Sequence, residues 1–196
     1  MKKKIRLLLS GLIVAVLLLG SGINANAQVF DQGDKVLSFG IGLGATYYAL
    51  STHYKTTVPP IFIMGDYCLR EDLGPGNLGV GAYMGYSGYK SKWIDYYGEP
   101  YGYKYNTFII GGRGSYHFVD LVDKLDLYGG VLLGVEIVTH KEYGDWADYY
   151  DYSAHGSGVA YSLFAGARYY FTDNLAVMAE LGYGIAWLSL GVSLKL

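Results

Sequence analysis

The sequence contains few cysteines and prolines, and it has no long apolar run beyond its first residues. Cys68 is the only cysteine, so no disulfide can form within the chain. A lone cysteine in a packed interior usually serves as a small apolar side chain. After Ala27 no apolar run reaches the roughly 20 residues that a membrane-spanning helix needs. If the mature chain enters a membrane, it must therefore do so as β-strands.

The first 27 residues have the three parts of a secretory signal peptide. A basic start, MKKKIR, precedes the apolar run LLLSGLIVAVLLLG, and NANA places small residues for cleavage after Ala27. We therefore predict an exported chain with a removed signal peptide, residues 1–27, and one mature domain, residues 28–196. The apolar run is short for a spanning helix, which argues against a retained anchor.

Positive charge is scarce in the predicted mature chain. The leader holds four of the 15 basic residues and none of the 17 acidic ones, so residues 28–196 carry a formal charge of −6. An acidic chain of this kind does not have the basic surface that nucleic acid requires, and we expect no nucleic-acid partner.

Glycine and tyrosine are abundant, with 29 and 22 residues respectively. Apolar residues alternate with small or polar ones in eight segments, and each alternation predicts a strand with one apolar face. The last segment, WLSLGVSLKL, places Leu188, Leu190, Val192, Leu194 and Leu196 on one face. Many glycines beside many aromatic residues are typical of a β-barrel, in which small residues let strands curl and aromatic rings mark the membrane interfaces.

The segments between the predicted strands alternate in length. Short turn segments are predicted at 70–77, 119–124 and 172–174, and longer segments rich in Tyr, Trp and acid at 49–55, 91–102 and 141–156. Short periplasmic turns and longer outer loops are typical of outer-membrane barrels. We therefore predict an all-β fold, an eight-stranded antiparallel up-and-down transmembrane β-barrel with both termini at the short-turn end. The alternative is a soluble sandwich or lipocalin-like barrel, which would carry its charged residues outside.

The segment ARYYFTDNLAVMAELGYG leads into the closing strand LSLGVSLKL. With its Thr-Asp-Asn turn and the run that starts at Glu180, this region resembles the small eight-stranded outer-membrane barrels of the OmpA/OmpX-like family. The resemblance implies a location in the outer membrane of a Gram-negative cell envelope, with membrane lipid and the barrel-insertion machinery as partners. The closing strand of that family usually ends on an aromatic residue, whereas this chain has Leu196.

Charged residues recur on the face opposite the apolar one. The candidate luminal charge network consists of Arg113, Asp126, Glu136, Arg168 and Glu180. The lumen of an eight-stranded barrel is just wide enough to be filled by side chains, and a charge buried there needs a partner. Around a turn at residues 173–174 we expect Arg168 and Glu180 to lie nearly opposite each other and to pair. We interpret the network as a plug of the lumen.

The two longest loops carry the candidate interaction residues. These are Trp93, Tyr96, Tyr97, Tyr143, Trp146, Tyr149 and Tyr150. Tyr and Trp offer a large contact area at low entropy cost, which favours binding of a surface protein or a glycan. The alternative interpretation is an aromatic belt at headgroup depth. The acidic residues of the loops match no EF-hand spacing, and the sequence predicts no metal and no cofactor.

The sequence thus predicts an outer-membrane barrel with a plugged lumen and a structural, surface-interaction role, and it does not predict an enzyme. Two alternatives stay open, a narrow porin-like channel and a lipid-modifying outer-membrane enzyme. The candidate group for the enzyme is His140 with Glu142 and with Ser153 or Ser157. Nothing in their spacing enforces a catalytic triad.

Overall fold

A computed structural model describes residues 30–45, 54–94, 100–118, 121–143, 153–183 and 185–196, so that the predicted signal peptide lies outside the described residues. In this part of the chain no helix is both long and apolar enough to span a membrane. The described residues form nine strands: β1 Lys35–Ala45, β2 Tyr54–Arg70, β3 Gly76–Ser91, β4 Trp93–Ile94, β5 Pro100–Phe118, β6 Leu125–Tyr143, β7 Ser153–Tyr170, β8 Leu175–Tyr183 and β9 Ala186–Lys195.

Eight of these strands close into an antiparallel barrel. Each pairs with its neighbour along the chain, β3 pairs with β5, and the last strand, β9, pairs with the first, β1. The two-residue strand β4 pairs with the start of β5 and takes no part in the closure. Closure removes the free edges that an open sheet would expose. The predicted eight-stranded barrel and its up-and-down order are therefore confirmed.

The two ends of the barrel differ. The turn end carries the connections at 71–75, 121–124 and 171–174, together with the segment 30–34 and Leu196. The loop end is the opposite end, where β1, β3, β6 and β8 finish. Both ends of the described chain lie at the turn end, as the even number of barrel strands requires.

The strands facing the longest connections extend further than the sequence predicted. Strands β2, β3, β5, β6 and β7 are 17, 16, 19, 19 and 18 residues long. A membrane-spanning strand needs only about 9–11 residues, so these strands project beyond the hydrocarbon at the loop end. Residues 91, 93–94 and 100–102 of the first predicted loop, and residues 141–143 and 153–156 of the second, are therefore strand.

Two prolines lie within β2. The register between β2 and β3 shifts between Val58 and Ile61, and Pro59 and Pro60 lie at this irregularity. A proline has no N–H to donate to a ladder, and a bulge is one of the positions in a sheet that tolerates it.

The outer surface of the barrel is apolar. Large side chains at least 40 % exposed include Phe39, Ile41, Ile63, Met84, Ile110, Val131, Leu133, Leu163, Leu181 and Leu190. In the closing strand, Leu194 faces outward, whereas Ser193 is fully buried and its hydroxyl lies 2.7 Å from that of Ser38 on β1. The apolar face of the segment WLSLGVSLKL is thus the outside of the barrel.

Large side chains fill the inside because glycines on facing positions leave room for them. A ring cluster near the middle of the lumen consists of Phe62, Met64, Tyr83, Ile109, Tyr128, Leu132, Ala160, Phe164 and Met178. A methyl group on Gly130 would come within 2.6 Å of the Phe164 ring and would also meet the backbone of β5. On the neighbouring Gly129, which faces outward, a methyl group would make only an ordinary contact at 3.5 Å.

We predict that Gly130→Ala lowers the free energy of unfolding by about 1–3 kcal/mol, because overpacking displaces Phe164. The matched control, Gly129→Ala, should change it by less than about 0.5 kcal/mol. Urea unfolding of the lipid-reconstituted protein, followed by tryptophan fluorescence, measures both. Equal effects of the two variants would contradict the assignment of Gly130 to the packed interior.

Candidate functional site

Asp66 of β2 lies between two arginines in the turn-end half of the lumen. Its carboxylate pairs with Nη2 of Arg168 on β7, and Oδ1 lies 3.1 Å from Nε of Arg113 on β5. All three side chains are almost completely excluded from solvent. Removing one member of such a buried group would leave the others as uncompensated charges, which is strongly destabilising.

A chain of polar contacts continues from Arg168 along the neighbouring strands. Arg168 Nη1 donates to Asp126 Oδ2 at 3.2 Å, and Asp126 Oδ1 lies 2.7 Å from His117 Nδ1. The other ring nitrogen of His117, Nε2, lies 2.9 Å from the Ser115 hydroxyl. These groups are buried, and each one gives the next a polar contact.

Glu180 on β8 completes the cluster on the side of Arg113. Arg113 Nη2 donates to Glu180 Oε2 at 2.9 Å, and the Tyr128 hydroxyl donates to the same oxygen at 3.1 Å. The Arg113 guanidinium also lies 4.0 Å from the centre of the Phe164 ring. This cation–π contact joins the charged cluster to the ring cluster above it.

The segment 30–34 covers the turn end of the charged cluster. The Phe30 ring stacks on His117 with centroids 3.8 Å apart, and the Phe30 carbonyl accepts a hydrogen bond of 2.6 Å from Asn77 Nδ2. Gly33 N–H donates to the Cys68 carbonyl at 3.0 Å. Cys68 is buried beside Phe30, in the small apolar role that the sequence indicated.

The expected pairing of Arg168 with Glu180 is wrong. The hairpin between β7 and β8 places Arg168 opposite Met178, and Glu180 opposite Gly166. Glu180 therefore lies two residues along β8 from the residue that faces Arg168. Arg168 instead reaches across the barrel to Asp66 and also pairs with Asp126, its cross-strand neighbour on β6, while Glu180 pairs with Arg113.

The structure brings four of the five predicted network residues together, namely Arg113, Asp126, Arg168 and Glu180. Glu136 does not join them. It lies nearer the loop end, in register with Ile109 and Gly158, is half-buried, and forms no ion pair with any described residue.

At the loop end, aromatic rings line the inner face of the projecting strands. This aromatic ladder consists of Trp93, Tyr101, Tyr103, Tyr105 and His140. Adjacent ring centres are 5.9–6.4 Å apart, from Trp93 through the tyrosines of β5 to His140 on β6. The three tyrosines are two residues apart, in phase with the inward-facing Thr107 and Ile109, and this alternation was the available sequence signal for them.

Glu142 lies beside the ladder, opposite Tyr103 in the register of β5 and β6. A hydrogen bond with this carboxylate, together with its negative charge, raises the pKa of the Tyr103 phenol above its ordinary value. The loop end therefore combines several aromatic faces with a carboxylate.

Of the predicted loop residues, Trp93 belongs to the aromatic ladder, and Tyr143 is the last residue of β6. The other predicted interaction residues, Tyr96, Tyr97, Trp146, Tyr149 and Tyr150, lie outside the described residues.

The structure does not bring Ser157 to His140, and the side chain of Ser153, the other candidate serine, lies outside the described residues. His140 lies in the ladder on the inner face, whereas Ser157 is exposed and pairs with the outward-facing Ile137. Among the described residues, no three His, Cys, Asp or Glu side chains come close enough together to hold a metal ion.

A closed antiparallel sheet with an apolar exterior and charges inside defines a transmembrane β-barrel of the small outer-membrane type. The predicted resemblance to eight-stranded outer-membrane barrels is confirmed at the level of architecture.

Comparison with solved structures finds barrels of this size. Ail, the attachment invasion locus protein of Yersinia pestis, is 13 % identical, with a TM-score of 0.48 over 84 % of this chain and 95 % of Ail. The N-terminal β-barrel domain of Pseudomonas aeruginosa OprF is 19 % identical, with a TM-score of 0.45 over 85 % of this chain and 98 % of that domain. Neisserial surface protein A is 14 % identical, with a TM-score of 0.39 over 83 % of this chain and 96 % of that protein. No protein-family model and no curated protein matches the sequence.

We predict that Asp66→Asn lowers the free energy of unfolding by about 3–5 kcal/mol, because it leaves Arg113 and Arg168 without the carboxylate between them. The matched control, Glu136→Gln, removes an inward carboxylate that has no ion pair among the described residues, and it should cost less than about 1 kcal/mol. Urea unfolding in lipid vesicles measures both. Similar losses would show that the Asp66 pairs do not hold the lumen together.

Proposed function

We propose that the chain is an outer-membrane β-barrel protein with a side-chain-filled, non-conducting lumen and a structural, surface-interaction role at its loop end. The observation that carries this proposal is the aromatic ladder on strands that project beyond the membrane. The loop end faces the outside of the cell, because outer-membrane barrels place their short turns on the periplasmic side.

Two layers of side chains support a lumen that does not conduct. The charged cluster around Asp66 lies at the turn end, and the ring cluster around Phe164 lies above it. The buried charges of the lower layer are paired with each other, so they do not offer the water-lined path that ions need. This arrangement favours a structural barrel over a narrow channel.

The loop end favours a glycan as partner. Trp93 is partly exposed and Tyr101 is 38 % exposed, and both rings offer an apolar face together with a polar edge. A sugar has the same two components, because C–H groups line the faces of its ring and hydroxyls line its edge. Glu142 and the tyrosine hydroxyls supply hydrogen-bond partners for those hydroxyls.

Catalysis has no place in this proposal. The sequence offered His140 as a member of a candidate catalytic group. In the structure its ring packs against Tyr103 and Tyr105, while Ser157 lies on the opposite face of the sheet.

We expect the purified wild-type protein to give no discrete conductance steps in planar lipid bilayers, because side chains fill its lumen. A shift in mobility between heated and unheated samples on gels confirms that the protein used is folded. Regular conductance steps from the folded protein would favour the narrow-channel alternative instead.

We expect vesicles carrying the wild-type protein to bind at least one member of an array of immobilised neutral oligosaccharides. The double variant Trp93→Ser, Tyr103→Ser should lose this binding by about tenfold or more, because it removes two neighbouring rings of the ladder. The control Tyr161→Ser, Tyr169→Ser replaces two tyrosines of the apolar exterior, each 49 % exposed, and should bind as the wild type does. No binding to the array, or equal binding by both double variants, would contradict the proposed partner.

A further inference from the structure

Four lysines lie side by side across four adjacent strands near the loop end. Lys55 of β2 pairs in register with Lys90 of β3, Lys90 pairs with Lys104 of β5, and Lys104 pairs with Lys141 of β6. We call these four residues the lysine row. Neighbouring strands are about 4.8 Å apart, so the four positions fall within about 15 Å.

The lysine row faces outward. The adjacent cross-strand row, one residue along each strand, contains the inward-facing Tyr89, which is buried, and Tyr105 and His140 of the aromatic ladder. Side chains of successive residues point to opposite faces of a sheet, so the lysines are on the exterior. Lys55, Lys104 and Lys141 are exposed, and Lys90 is partly exposed.

The height of the lysine row matches the headgroup region of a bilayer. The last large apolar side chains of the exterior on these strands are Tyr86, Phe108 and Ile137, which lie in register with one another. The row lies four residues further toward the loop end. At about 3.3 Å per residue and a strand tilt of about 40°, four residues correspond to about 10 Å along the barrel axis.

Four like charges in direct cross-strand register repel one another, so a row of this kind attracts anions. The predicted mature chain is acidic overall, so the lysine row is a local concentration of positive charge. Each lysine ammonium has three donors, and a contact with a group of the protein leaves further donors for a second anion.

We propose that the lysine row binds the phosphate groups of anionic lipid headgroups in the leaflet at the loop end. This inference rests on the membrane placement proposed above, and it adds a headgroup site to the barrel. The apolar exterior below the row is continuous with it, so a lipid whose acyl chains lie against Phe108 and Ile137 places its phosphate beside Lys104 and Lys141. A row of charges at one height suits the phosphates of several neighbouring lipids better than a single soluble anion.

The test compares two double variants with the same change in net charge. Lys90→Gln, Lys104→Gln removes the centre of the row, whereas Lys35→Gln, Lys92→Gln removes two exposed lysines outside it. Each protein is reconstituted in nanodiscs of phosphatidylcholine with or without 20 % phosphatidic acid, and the lipids retained by the protein are counted by native mass spectrometry.

We expect the wild type and the control variant to retain phosphatidic acid in preference to phosphatidylcholine. The row variant should lose at least tenfold of this preference, because each lysine near an anionic surface contributes roughly a fivefold factor. Inorganic phosphate at 10 mM should not compete. Equal retention by the two variants would overturn the proposal, and so would full competition by inorganic phosphate, which would indicate a site for a soluble anion.

Insertion into nanodiscs of phosphatidylcholine alone, followed by the shift between heated and unheated samples, tests the membrane placement separately. A protein that inserts but shows no preference for phosphatidic acid would overturn the lysine row alone. A protein that fails to insert would overturn the row together with the proposed membrane function.

Discussion

Hydrocarbon offers no hydrogen-bond partner to a backbone amide, and this constraint determines the rest of the molecule. A sheet that crosses a membrane must close, and here the pairing of β9 with β1 closes it. Closure with eight strands fixes the circumference, and the circumference fixes how much side-chain volume fits inside. The glycines that face the Phe164 and Tyr128 rings, Gly130 and Gly166, follow from that limited volume. Many of the large apolar side chains, which in a soluble barrel would form the core, are on the outside.

The two ends of the barrel differ in structure because the strands differ in length. At the turn end the chain is compact, and the segment 30–34 lies against the charged cluster. At the loop end, five strands project past the hydrocarbon, and their two faces are chemically distinct. The inner face carries the aromatic ladder and the outer face carries the lysine row. A single alternating pattern, continued a few residues beyond the membrane, therefore creates two different surfaces.

The sequence was sufficient to predict the fold and the face of most residues, because alternation is a local property of each strand. The closing strand is an example, since Leu194 faces outward and Ser193 faces the lumen, as the alternation predicts. Contacts across the lumen could not be predicted in this way. Arg168 and Asp66 are 102 positions apart on strands that do not pair. The predicted register of the hairpin between β7 and β8 was wrong by two residues, and the prediction therefore paired Arg168 with Glu180. Strand ends in the aromatic segments were also missed, because Tyr and Trp suit both loops and strands.

The separation of Asp66 from Arg168 has a consequence for assembly. Strand β2 lies near the start of the mature chain and β7 near its end, so the pair forms only when most of the barrel is in place. A partial barrel that lacks β2 would leave Arg113 and Arg168 without Asp66 between them. Such intermediates are costly in hydrocarbon, since their charges have lost water and have not yet gained all their partners. The luminal ion pairs therefore favour the complete barrel over partial ones.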